Sequence, residues 1–166
     1  MIPFNSESHM CDALLQSEDF FSFFNSETNV LIAKELKGYF GIPDLMVFDL
    51  NEENLSKKVK KAVAIELKLT NWRRAIEQSY RYKAFSDLSL VCIDAANINP
   101  ALMHLDYFKK FRIGLLSFSV YGKLESLYIP PYEPPYSSIL REKLENENFL
   151  QFLSVDDLCP ANCQFC

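Results

Sequence analysis

The chain has 166 residues, 49% of them hydrophobic, and a formal net charge of -5; that length and apolar content can bury one sizeable core, so a single domain over 1–166 is expected. The acidic balance argues against strong non-specific nucleic-acid binding by the surface as a whole. No stretch approaches the roughly 20 apolar residues a membrane span needs, and Met1-Ile2-Pro3-Phe4 does not open a secretory signal, so a soluble, cytoplasmic protein without membrane contact is expected.

In chain order, the first periodic segment is Ser26 to Phe40, where Ile32, Leu36 and Tyr39 recur at helical spacing. Glu35 lies three or four positions from Leu31, Ile32 and Tyr39 and so borders that stripe. It reads either as a carboxylate for a nearby site or as a partly exposed helix glutamate, since the edges of helix stripes tolerate charge.

Gly41-Ile42-Pro43-Asp44 then leads into the strand pattern Leu45 to Leu50, and Val63-Ala64-Ile65 leads into Glu66-Leu67-Lys68. Folded as an antiparallel hairpin about the polar stretch Asn51 to Lys58, a symmetric register puts Asp44 opposite Glu66, and directly opposed residues lie roughly 5 Å apart. Alternation along a strand gives Lys68 the face of Glu66 and turns Val63, Ile65, Leu67 and Leu69 to the other. Paired acids at a sheet end suit a hard divalent cation such as Mg²⁺ or Mn²⁺. Such an ion would orient a phosphodiester and lower the pKa of a water, while Lys68 would hold that water or stabilise charge growing on phosphorus. The plainer alternative is a charged solvent-facing strand with ordinary salt bridges.

After Lys68, Asn71 or Thr70 can cap a helix from Trp72 to about Ala84, on which Arg74, Gln78 and Tyr82 stack at intervals of four. Leu88 to Ile93 reads as a strand and Pro100 to Lys110 as a helix. Ile113 to Phe118 and Val120 to Tyr128, interrupted by Tyr121-Gly122, read as two strands or a bent hairpin. Pro130 to Tyr136 is a proline and tyrosine loop suited to a protein partner, and a last helix is expected from about Ser137 to Phe152.

Asp44, Glu66-Leu67-Lys68 and Gln78-Ser79-Tyr80-Arg81-Tyr82 together resemble the three core motifs of the PD-(D/E)XK nuclease superfamily, in particular its RecB-like branch with a Q-x-x-x-Y helix, over residues 27 to about 95. The resemblance implies an α/β, restriction endonuclease-like fold: a mixed central β-sheet flanked by helices. It implies Asp44 and Glu66 as metal ligands, Lys68 as the catalytic lysine and Gln78 as a positioning residue. Glu35 matches the first-helix glutamate that many members carry, and would be an auxiliary ligand. The stretch between Glu35 and Asp44 is short for a full strand, so the first strand is expected to be abbreviated. The implied activity is metal-dependent hydrolysis of DNA phosphodiester bonds. Some members have lost catalysis, which leaves a second class open: a nuclease-fold module that binds nucleic acid or a protein partner without cutting.

Charge is unevenly placed. From Lys57 to Lys83 nine basic residues face two acidic ones, a local +7 that leaves -12 elsewhere. Lysine and arginine beside such a site are what a polyanionic backbone needs, and single strands add base stacking on aromatic rings. Arg73, Arg74, Tyr82 and Lys83 are the candidate nucleic-acid contacts, with Trp72 and Tyr80 as further stacking surfaces; the alternative is a solvated hairpin and helix face with Trp72 buried.

Cys92 lies inside an apolar strand and reads as a small buried hydrophobe. Cys159, Cys163 and Cys166 crowd the C-terminal tail 159–166, and Cys11 precedes the motifs. Some RecB-like nucleases hold an iron–sulfur cluster with one cysteine before the core and three after it, and this arrangement resembles theirs with a different spacing. Four thiolates also suit tetrahedral Zn²⁺, and a tail with unpaired thiols is the third reading. His9 and His104 are isolated and read as structural or surface residues.

Overall fold

The computed structural model describes residues 2–24, 29–38, 40–50 and 59–152. Its longest strand, β3 (Val59–Lys68), is buried at every position from Ala62 to Lys68. A strand covered on both faces needs helices on both faces, and the sheet built around it is so covered. Before β3 come α1 (Glu7–Leu14), α2 (Glu18–Phe23), β1 (Asn29–Lys34) and β2 (Leu45–Leu50). After it come α3 (Trp72–Tyr82), β4 (Leu88–Asp94), α4 (Asn99–Leu102), α5 (Leu105–Phe111), β5 (Gly114–Phe118), β6 (Leu124–Tyr128) and α6 (Ser138–Phe152).

The six strands lie in sequence order. β1, β2 and β3 form an antiparallel meander. β4 and β5 each run parallel to the preceding strand, so their connections cross over through helices, α3 for the first and α4 with α5 for the second. β6 returns antiparallel to β5. The chain is thus α/β with a six-stranded mixed sheet flanked by helices.

One sheet face carries Leu45, Val47, Val63, Ile65, Leu67, Leu90 and Cys92 against Met10, Cys11, Leu14 and Phe20 of the two N-terminal helices. The other presents Met46, Phe48, Ala62 and Ala64 to Tyr82, Phe85 and Leu144. It continues as Val91, Ile93 and Leu115 against Trp72, Ala75, Ile76 and Phe108. The small Ala62 and Ala64 let α3 approach β3 closely, and Ser79 follows suit with its hydroxyl on the Leu90 carbonyl at 3.4 Å.

The expected helix over 26–40 is not formed. Residues 29–34 are β1, paired with β2 from Asn29↔Leu50 to Lys34↔Leu45. Leu31 and Ala33 are buried on one face, so the governing period is two, and the helical spacing of Ile32 and Leu36 is coincidental. Leu36 is buried beyond the strand, and Tyr39 lies outside the described residues. The helix expected over 100–110 is broken into α4 and α5, while Asn71 caps α3, its side chain accepting from the Arg74 N–H at 3.2 Å.

Candidate active site

β2 and β3 pair as Leu45↔Ile65, Met46↔Ala64 and Val47↔Val63. One step beyond the first of these pairs, Asp44 and Glu66 stand side by side at the rim of the sheet. At this strand end the Asp44 side chain serves as the acceptor for β3, its Oδ2 accepting from the Leu67 N–H at 2.6 Å. On its other side the Asp44 carbonyl accepts from the Glu35 N–H at 3.0 Å. Asp44 is therefore held by both neighbouring strand ends.

Glu66 is 1% exposed. A carboxylate so deeply buried needs partners, and it has two: the Lys68 ammonium, 2.8 Å from Oε1, and the Tyr82 hydroxyl, donating to Oε2 at 2.7 Å. Tyr82 also lies 3.0 Å from the Ile42 carbonyl, and its ring packs on Gly41, where a Cβ would sit 2.9 Å from Tyr82 Cε1. Gly41 has φ of +145°, a conformation that favours glycine. Burial first, then the bond to Glu66, pushes the Tyr82 hydroxyl far up, so it stays a donor.

Lys68 completes the group. Its ammonium donates to Glu66, to the Leu67 carbonyl at 2.8 Å and to Glu7 Oε2 at 3.1 Å. Burial alone would lower its pKa, but Glu66 and Glu7 outweigh that and the net direction is upward. Lys68 is a fixed cation here. Asp44 lacks such a partner: burial, then the charge of Glu66, lifts its carboxyl to about 6 against the weaker opposing pulls of the Leu67 N–H and Lys68. Three carboxylates and one ammonium leave this rim with an excess of negative charge.

Gln78, one turn before Tyr82, has a buried Oε1 that accepts no hydrogen bond. Glu35 does not join the cluster. It follows β1 in a left-handed conformation, φ 47°, with its side chain exposed; its backbone, not its carboxylate, contacts Asp44. The acid that reaches Lys68 from a first helix is Glu7, which sequence reasoning missed. Its signal was Ser6, whose side chain caps α1 by accepting from the His9 N–H at 3.0 Å, ahead of Met10, Cys11 and Leu14 at helical spacing.

The candidate nucleic-acid contacts divide. Arg73 and Arg74 are exposed on α3, with Arg73 over the Trp72 ring at 4.3 Å. Tyr82, 1% exposed, supports Glu66 and offers no ring to a base. Lys83 is also buried, bonded to the Phe111 and Arg112 carbonyls and to Glu133 at 3.3 Å, 3.4 Å and 3.3 Å, so it braces the proline loop against α5. Cys11 is buried, and burial, eased by Lys34, raises its thiol to about 11. Cys159, Cys163 and Cys166 lie outside the described residues. Cys92 is buried in β4, His9 packs edge-on against Phe4, and His104 stacks on Trp72.

The described residues hold no group of three or more His, Cys, Asp or Glu side chains set to ligate a metal ion. None of their helices is long and apolar enough to cross a membrane. No protein-family model, curated protein or solved structure matches the chain.

Proposed function

We propose that this chain is a metal-dependent nuclease of the PD-(D/E)XK superfamily, in its RecB-like branch, hydrolysing DNA phosphodiester bonds with Mg²⁺ or Mn²⁺. The observation that carries the reading is the convergence of Asp44, Glu66 and Lys68 at one rim, tied by the Leu67 N–H bond to Asp44 at 2.6 Å and the Lys68–Glu66 pair at 2.8 Å. The helix-flanked mixed sheet is the coarse architecture such a protein has.

The residues fit a hard cation. Their donors are carboxylate oxygens, the Asp44 carboxyl is lifted to about 6 by burial and the neighbouring Glu66 charge, and Gln78 Oε1 is a buried acceptor without a donor. Asp44 and Glu66 would hold the ion, with Glu7 rather than Glu35 the nearest further acid. A bound Mg²⁺ or Mn²⁺ supplies polarisation of the phosphate and a water of lowered pKa. Tyr82 fixes the Glu66 carboxylate, and the Leu67 N–H fixes that of Asp44. Lys68, kept protonated by Glu66 and Glu7, acts as a cation that orients water and stabilises charge on phosphorus, not as a base.

One observation favours a second reading, a nuclease-fold module that binds nucleic acid or a protein partner without cutting. Both Glu66 oxygens and all three Lys68 protons already have partners, which is how a purely structural polar network is satisfied. An assay on plasmid, linear duplex, single-stranded DNA and RNA with Mg²⁺ or Mn²⁺ separates the two. Cleavage lost in Lys68→Ala and Glu66→Gln supports the nuclease; a wild-type protein inert on all four substrates favours the binding module.

A further inference from the structure

Away from the rim, α3 and α5 enclose a groove of about 460 Å³ lined by Trp72, Arg73, Tyr80, Arg81, Tyr107 and Phe111. Two of its rings are accessible, Tyr80 at 45% and Tyr107 at 46% exposed, in contrast to the enclosed Tyr82, whereas Trp72 is buried at 5% exposed and so is no free stacking surface. Tyr80 is braced edge-on by Phe111 at 5.6 Å and Trp72 is stacked on His104 at 4.9 Å, so the groove has firm aromatic walls. Its charged lining is Arg73 and Arg81 against Glu77, a net +1 on a protein of net -5. The two helices that build it also carry Arg74, Lys109 and Lys110 against Asp106.

Aromatic walls under a cationic rim match a polyanion whose bases present their flat faces, which a duplex hides and an unpaired strand exposes. From this charge complementarity we infer that the α3–α5 groove binds an unpaired DNA strand, a base entering between Tyr80 and Tyr107 while Arg73 and Arg81 meet the flanking phosphates. The inference rests on the nuclease reading for its choice of DNA and adds the substrate class. Glu77, which also lines the groove, opposes a phosphate and so limits the affinity.

Trp72 is the chain's single tryptophan, so its fluorescence reports on this groove alone. The full chain is titrated in EDTA with a short oligo-dT, oligo-U or the corresponding duplex. Saturable quenching is expected, strongest with oligo-dT. Arg81→Glu and Tyr107→Ala should each weaken it about tenfold, while Glu77→Gln should tighten it; removing one phosphate contact should reduce the salt slope by about 0.7. All three side chains are exposed, and circular-dichroism melts confirm that each variant folds. Absent quenching, an affinity unmoved by Arg81→Glu, or tighter binding of oligo-U or duplex would overturn the inference. Quenching without metal-dependent cleavage would remove the nuclease reading and keep this site; cleavage without Arg81-dependent quenching would do the reverse.

Discussion

Asp44 is where the electrostatics of the rim are most directly testable. Burial, and then the charge of Glu66, lift its carboxyl from the ordinary value of 3.8 to about 6 in the folded chain. A folded state that holds a proton more tightly is favoured at low pH, so this contribution is fully present below the unfolded pKa and lost as pH rises through the folded one. Metal-free wild type should therefore lose melting temperature relative to Asp44→Asn as pH rises from about 4 to about 6, and at neutral pH the variant should be the more stable protein. Parallel melting curves across that range would refute the assignment. Mg²⁺ or Mn²⁺ should stabilise wild type only above that transition and leave Asp44→Asn unmoved. Lys68 makes the complementary case: both it and Glu66 are largely enclosed, with side chains 11% and 1% exposed, and removing one partner of such a pair costs on the order of 3 kcal/mol. Lys68→Ala should lose about that much stability by urea denaturation, and adding Glu66→Gln should restore most of it. A double variant no more stable than Lys68→Ala would show that the pair is not coupled.

At the scale of elements, what was legible depended on whether a pattern was local. β3 could be read from its alternation and α3 from its Asn71 cap, and the symmetric register placed Asp44 beside Glu66 because nothing irregular intervenes between Leu45↔Ile65 and Asp49↔Lys61. β1 was misread because Ile32 and Leu36 match helical spacing, whereas its strand state is decided by pairing with β2, a partner distant in sequence. Glu35 was misplaced with it. Glu7 was missed because α1, eight residues long, reveals its role only when packed across the end of β3. The same limit hid the use of Tyr82, whose hydroxyl at Glu66 follows from α3 lying against β3 and Gly41. Tyr82→Phe keeps the ring and deletes that bond, so it should cost about 1–2 kcal/mol and leave Glu66 less fixed. Gly41→Ala should be worse, since a methyl group would meet Tyr82 Cε1 at 2.9 Å in a backbone conformation, φ +145°, that disfavours alanine. Equal melting temperatures for Gly41→Ala and wild type would show that this packing yields without cost.

Across the whole molecule, the rim depends on how the segment from Phe4 to Leu14 is tied down, and the tie is at Asp94, at the end of β4. Asp94 is fully buried and accepts from the Phe4 N–H at 3.0 Å, the Ala96 N–H at 3.0 Å and the Asn97 amide at 3.2 Å. Phe4 in turn stacks on Phe118 of β5 at 5.6 Å. One carboxylate thus joins the parallel strands to the segment that carries Glu7 onto Lys68. Asp94→Ala would leave these donors without their acceptor, at a cost of about 1–3 kcal/mol for each that stays buried, and would release Phe4 and α1 from the sheet. The expected outcome is faster proteolysis ahead of residue 15 and a Lys68 ammonium freed from Glu7, with the Asp44 and Glu66 hairpin still folded. Asp94→Asn, whose oxygen still accepts, should retain most of the protection. Hydrogen exchange read at α1 and at β3 distinguishes the cases: loss confined to α1 is the predicted result, whereas equal loss in both would mean that Asp94 supports the sheet as a whole and not the attachment of Glu7 to the rim.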